Sequence, residues 1–182
     1  MTLPNYITLF RILLVPFFFT ALVYYEPGKE YYRLVALGLF LTAAFTDALD
    51  GFLARITHKK TDLGRFLDPL ADKLLLLSGF LGLLFVNSLP FRPPVWVTVT
   101  IVFRDIVILV GLILIYLISG TIRVQTNFIG KVTTFFQMAT LTAILLEAPI
   151  SILLSYTTAG ITVLSCLLYM ARDFKKLNPA SS

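Results

Sequence analysis

Asp47, Asp50, Asp68 and Asp72 are the residues whose types and spacing point to chemistry. They stand in Asp47-Ala-Leu-Asp50-Gly51-Phe-Leu-Ala54-Arg55 and, eight residues on, Gly64-Arg-Phe-Leu-Asp68-Pro-Leu-Ala-Asp72. The first pair closes a run, apolar otherwise, that starts near Leu34. The second opens another, from Phe66 to Val86. An ionised carboxylate at membrane depth is costly, so such residues face a cavity, a partner or a metal. Helix neighbours three or four positions apart share a face. Asp47 and Asp50 therefore point one way, and Asp68 and Asp72 do likewise on the next helix. Bare, four clustered carboxylates repel one another, and divalent cations relieve that. Oxygen-only ligation with no His or Cys nearby indicates Mg²⁺, Mn²⁺ or Ca²⁺ rather than zinc or copper. Room for two cations suggests the arrangement that polarises a phosphoryl group during in-line displacement. Gly51, Ala54 and Gly64 leave space beside the acids for a ligand to approach the backbone, and Arg55 stands ready for a phosphate.

The elements that must position these acids follow from hydropathy. Of 182 residues, 58% are hydrophobic and the mean hydropathy is +0.88. A spanning helix needs about 20 predominantly apolar residues. Six runs qualify, at about 8–25, 34–56, 66–88, 94–118, 128–147 and 150–171. They consume nearly the whole chain, which predicts an all-α integral membrane protein, a six-transmembrane-helix bundle forming a single domain over residues 1–182. The first run has no charge before Arg11 and no small-residue cleavage site after it, so it reads as a retained helix. Pro4 fits the start of that helix, and Pro69 the first turn of the third. Glu26-Pro-Gly-Lys29, Ser119-Gly120 and Glu147-Ala-Pro149 read as turns. The polar link from Ile56 to Gly64 is short, so the second and third helices are antiparallel neighbours.

Charge sets the orientation. Arg55, Lys59, Lys60, Arg65, Arg123, Lys131, Arg172, Lys175 and Lys176 fall on one side of the six runs, and only Lys29, Arg33 and Arg92 on the other. The positive-inside rule puts the richer side, both termini and the aspartates at the cytoplasmic face. No basic stretch stands clear of the apolar runs, so nucleic acid is not an expected partner; membrane lipids are. Tyr24, Tyr25, Tyr31 and Tyr32 flank the outer turn as interfacial aromatics do. His58 reads as a solvated loop residue. Cys166 is the sole cysteine, so no intramolecular disulfide forms, and no role is assigned to it.

The frame D-x2-D-G-x2-A-R-x8-G-x3-D-x3-D resembles the signature of the CDP-alcohol phosphatidyltransferases, with every position filled and the spacing intact. The likeness covers essentially the whole chain, since that family also has six helices. It implies Mg²⁺ or Mn²⁺ as cofactor, two ions, held by Asp47, Asp50, Asp68 and Asp72. It implies that Asp72 is also the general base toward the acceptor hydroxyl, and that Gly51, Ala54, Arg55 and Gly64 line the cytidine diphosphate site. The implied substrate is CDP-diacylglycerol, CMP is the leaving group, and the enzyme is a homodimer of a bacterial-type inner membrane.

The acceptor is read from charges outside that frame. Arg104, Asp105, Arg123 and Lys131 are the candidates, and three cations near an acid pocket suggest an anionic alcohol. The reading against Arg104-Asp105 is a self-neutralising structural pair, and against Lys131 a membrane-anchoring lysine. Leu3 to Arg11, Phe66 to Lys73 and Gly130 to Met138 are similar to family members that use glycerol 3-phosphate. Arg104-Asp105, with Leu112 two turns later, is similar to the cardiolipin synthases, whose acceptor is phosphatidylglycerol. Glycerol 3-phosphate is the expected acceptor and phosphatidylglycerol the alternative. Outside enzymes, a divalent-cation carrier would also explain intramembrane acids. Against it, all four lie at one face, with only Glu147 toward the other.

Overall fold

The computed structural model describes the backbone of residues 3–57, 62–119 and 128–177, with side chains for 6–47, 67–111, 113, 114, 117 and 129–167. The described residues form six helices: α1 (Leu3–Val23), α2 (Glu30–Thr57), α3 (Asp62–Phe85), α4 (Val95–Ser119), α5 (Phe128–Leu145) and α6 (Ile150–Leu177). Each coincides with one of the apolar runs to within a few residues at most ends. The helices α2 and α6 extend further than their runs because hydropathy marks only the apolar part, whereas a helix continues through Glu30 to Arg33 and through Arg172 to Leu177. Pro69 departs from expectation: it lies eighth in α3, well inside the helix. There its missing N–H removes one intrahelical hydrogen bond, which a first-turn proline would not.

The helix α1 packs against α2 and α3, α3 also against α4, and α6 against α4 and α5. Their shared core includes Phe18 and Leu22 of α1, Phe40 of α2, Phe80 of α3, Ile101 of α4 and Leu141 of α5. Two glycines of α3 let these helices close. A Cβ on Gly82 would lie 2.6 Å from Cδ2 of Leu22, and one on Gly79 would lie 2.8 Å from Cδ1 of Leu141. Leu22 is wholly buried and has nowhere to retreat. Gly82→Ala is therefore expected to destabilise the bundle by about 1–3 kcal/mol through overpacking. Thermal denaturation in detergent measures it.

The surface is the reverse of a water-soluble protein's. Phe45, Phe85, Phe103, Phe135 and Leu117 are each more than 60% exposed, whereas Arg11, Arg104, Asp105, Gln137 and Thr158 are buried. Among the described residues two helices hold an 18-residue window long and apolar enough to cross a membrane, Tyr6–Val23 and Ile150–Leu167. Hydroxyls are satisfied locally: Thr42, Thr100, Thr133 and Thr142 each donate to the carbonyl four residues back. Such bonds let a polar residue sit on an apolar helix without an outside partner.

At one end the helices are tied by a polar clasp. The α5 helix ends with Glu147 in the left-handed region, φ 53°. Ala148 N–H donates to Ala143 carbonyl and Glu147 N–H to Ile144 carbonyl, both at 2.9 Å. That closing turn is a Schellman arrangement, in which glycine is the commoner residue. Here the glutamate uses its side chain: Tyr25 Oη donates to Glu147 Oε1 at 3.1 Å, and Arg33 Nε lies 3.3 Å from the same atom. Arg33 Nη1 also donates to the Leu145 carbonyl at 2.7 Å. The α1–α2 turn and the α5–α6 turn are thereby joined.

Candidate active site

The acids lie toward the other end, where α1 and α3 begin. Asp68 and Asp72 stand one turn apart on α3, Asp47 stands on α2, and Thr8 and Arg11 stand three apart on α1. Thr8 Oγ1 donates to Asp68 Oδ1 at 2.8 Å. Arg11 Nη1 lies 2.9 Å from Asp47 Oδ1 and 2.6 Å from Asp72 Oδ1. Three helices thus send three carboxylates and one guanidinium into one pocket. Arg11 is fully buried, while the side chains of Asp47 and Asp72 are 36% and 27% exposed. The acids are thus the partly exposed part of this cluster.

A second polar cluster crosses the middle of the bundle one residue away. Asp105 Oδ1 accepts from Lys73 Nζ of α3 and from Arg104 Nη1, both at 2.9 Å. Its Oδ2 accepts from Gln137 Nε2 of α5 at 2.9 Å. Arg104 Nη2 reaches Ser165 Oγ of α6, also at 2.9 Å. Asp105 thus ties α3, α4 and α5 together and is 2% exposed, and Arg104 adds α6. Two cations meet one carboxylate here, so the cluster holds one positive charge in excess beside Asp72. A cavity of about 330 Å³ between α4 and α6, lined by Val99, Phe103, Arg104, Thr162 and Cys166, borders this cluster; none of the acids lines it.

The sequence-predicted residues divide accordingly. Asp47, Asp68 and Asp72 are brought together through α1. Arg104 and Asp105 are brought to each other and to Lys73. Lys131 is exposed on the first turn of α5 and makes no ion pair with another described residue. The side chains of Asp50, Arg55 and Ala54, like the surroundings of Gly51 and Gly64, lie outside the described residues, as do Arg123 and His58 entirely. Sequence reasoning passed over Arg11, Thr8, Lys73, Gln137 and Ser165 as site residues. For Arg11 a signal existed: an arginine inside an apolar run carries the same burial cost as an aspartate there.

An all-helical bundle that converges acids from two helices on a basic third belongs among proteins that handle charged groups at an apolar boundary. The comparison with known proteins is specific: the CDP-alcohol phosphatidyltransferase profile matches residues 1–170, and the chain belongs to that family. It is 35% identical over 180 residues to a protein of Mycobacterium tuberculosis (strain H37Rv) named probable phosphatidylglycerophosphate synthase, covering 96% of this chain and 83% of that protein. It is 31% identical over 196 residues to the CDP-diacylglycerol–glycerol-3-phosphate 3-phosphatidyltransferase of Bacillus subtilis (strain 168), covering 98% of each. The enzyme of the same name from Escherichia coli (strain K12) is 34% identical over 177 residues, covering 93% of each.

Proposed function

We propose that this chain transfers the phosphatidyl group of CDP-diacylglycerol to glycerol 3-phosphate, giving phosphatidylglycerophosphate and CMP. The names of the relatives support the reaction. The observation that carries it at the level of residues is the meeting of Asp47, Asp68 and Asp72 with Arg11 and Thr8 in one partly exposed cluster. The excess positive charge of Lys73 and Arg104 over Asp105 supports an anionic acceptor rather than a neutral one. It does so without Arg123 or Lys131.

Asp47, Asp50, Asp68 and Asp72 would hold divalent cations, Mg²⁺ or Mn²⁺. Among the described residues no three acids stand ready as a cage, since the Arg11 guanidinium lies between Asp47 and Asp72. The donor set nevertheless fits: hard carboxylate oxygens, partly exposed, already facing a positive group. When bound, the cations supply charge neutralisation and polarisation of the phosphoryl oxygens. The chain's own residues do the remainder. Asp72 takes the proton from the acceptor hydroxyl, Arg55 and the small residues Gly51, Ala54 and Gly64 receive the nucleotide, and Lys73 and Arg104 attract the acceptor phosphate. Positioning and charge compensation account for most of the catalysis in such transfers.

The apolar exterior around a polar interior supports six membrane spans in a single domain over 1–182, with the acids at the cytoplasmic face of a bacterial inner membrane. A homodimer is the assembly that fits the family likeness. The test is purified protein in detergent with CDP-diacylglycerol and Mg²⁺, offered glycerol 3-phosphate, phosphatidylglycerol, serine and inositol separately. CMP release is expected with glycerol 3-phosphate, to stop on chelation with EDTA and to return with Mg²⁺. Release with phosphatidylglycerol alone would replace the acceptor by the lipid. Release with none would return the acids to the cation-carrier reading.

A further inference from the structure

We propose that Arg11 is a tethered counter-cation that holds the place of a divalent cation between Asp47 and Asp72 and yields it when that cation binds. The inference rests on the cation reading of the four acids given above. Three observations carry it. First, among the described residues a single nitrogen does all the bonding: Nη1 bridges Asp47 at 2.9 Å and Asp72 at 2.6 Å. Second, the side chain is wholly buried, yet Nε and Nη2 have no hydrogen-bond partner among the described residues. A buried arginine with a purely structural task has its fork of five N–H groups engaged, because an unmade bond in a dry interior is costly. This one is held by charge, and charge is what an incoming cation competes for. Third, Arg11 stands on α1, which contributes no acid, so its head can swing away without moving the helices that carry the carboxylates.

Electrostatics makes the two occupants exclusive. Asp47, Asp68 and Asp72 outweigh the one guanidinium among the described residues, and the negative excess draws a divalent cation in. A divalent cation within ion-pair distance of a guanidinium is repelled by it, and in a partly buried pocket water screens that repulsion poorly. Arg11 therefore sets the affinity and order of cation entry. It is a positioning residue, acting through the two carboxylates it bridges.

The test needs neither substrate nor turnover. Mn²⁺ binding to the purified full chain in detergent is measured by the loss of the free-ion spin-resonance signal, for wild type, Arg11→Gln and Arg11→Lys. Arg11→Gln is expected to bind Mn²⁺ about tenfold tighter or more, since the competing charge is gone. Arg11→Lys is expected to fall between, because a compact ammonium holds the pair less firmly than a guanidinium. A structural role would predict the opposite sign, looser binding from a disordered pocket. An affinity weaker than wild type, or within about twofold of it, overturns the proposal. Should Arg11→Gln fail to fold, Arg11→Lys decides on the same criterion. Wild type that binds no Mn²⁺ would sink the cation reading itself, whereas wild-type binding that is indifferent to residue 11 sinks only the role of Arg11.

Discussion

Asp72→Asn is expected to lower kcat for CMP release by about 10²–10⁴-fold, the range for losing a positioned general base. Asparagine has nearly the same shape and keeps an oxygen where Asp72 Oδ1 meets Arg11 Nη1. What it lacks is the ability to accept a proton from the acceptor hydroxyl. Nucleotide binding, which we propose draws on Gly51 and Arg55, should change little. Steady-state CMP release, set beside equilibrium binding of CMP, separates the two effects. A variant whose kcat stays within about tenfold of wild type rejects Asp72 as the base. Loss of binding and rate together would instead assign it to holding the site in shape.

Asp105→Ala carries the largest expected effect on folding. The carboxylate receives Lys73, Arg104 and Gln137, and all four groups are mostly or fully buried. Deleting it leaves two cations and an amide without their shared acceptor. Breaking a buried ion pair from one side costs about 3–5 kcal/mol, much of it the stranded charge rather than the lost attraction. For a chain of this size that corresponds to roughly 6–20 °C in Tm. Asp105→Asn, which preserves one acceptor but not the charge, should fall between. Thermal melts of the three proteins in one detergent measure the series. An unchanged Tm for Asp105→Ala would mean that the cluster serves the acceptor rather than the frame.

The six helices were legible because each carries its own apolar run. About 20 apolar residues suffice to mark a long helix whatever its neighbours do. Helix ends were less so, as Glu30 and Leu177 show: polar residues extend a helix without announcing it. The aspartates stood out for the same physical reason as the spans, being charges where apolar residues belong. Lys73, Gln137 and Ser165 could not be read. Which face of α3 meets α4, and which of α6 meets Arg104, is decided by rotation about each helix axis. Residues 32 and 61 positions apart that meet only through that rotation leave no local pattern. Pro69 is the instructive exception. Its chemistry suggested a first turn, yet α3 starts seven residues earlier, at Asp62, and carries the proline inside it.

The clasp of Tyr25, Arg33 and Glu147 has a consequence for how this protein tolerates change. Along α2, Asp47 lies fourteen residues beyond Arg33, about 21 Å of helix. The clasp sets one guanidinium between two carboxylates, Glu30 and Glu147, and shares no bond with the acids of the other end. Substitutions around those acids therefore leave the clasp's own bonds in place. Selection is thus free to retune the chemistry at one pole because the architecture is anchored at the other.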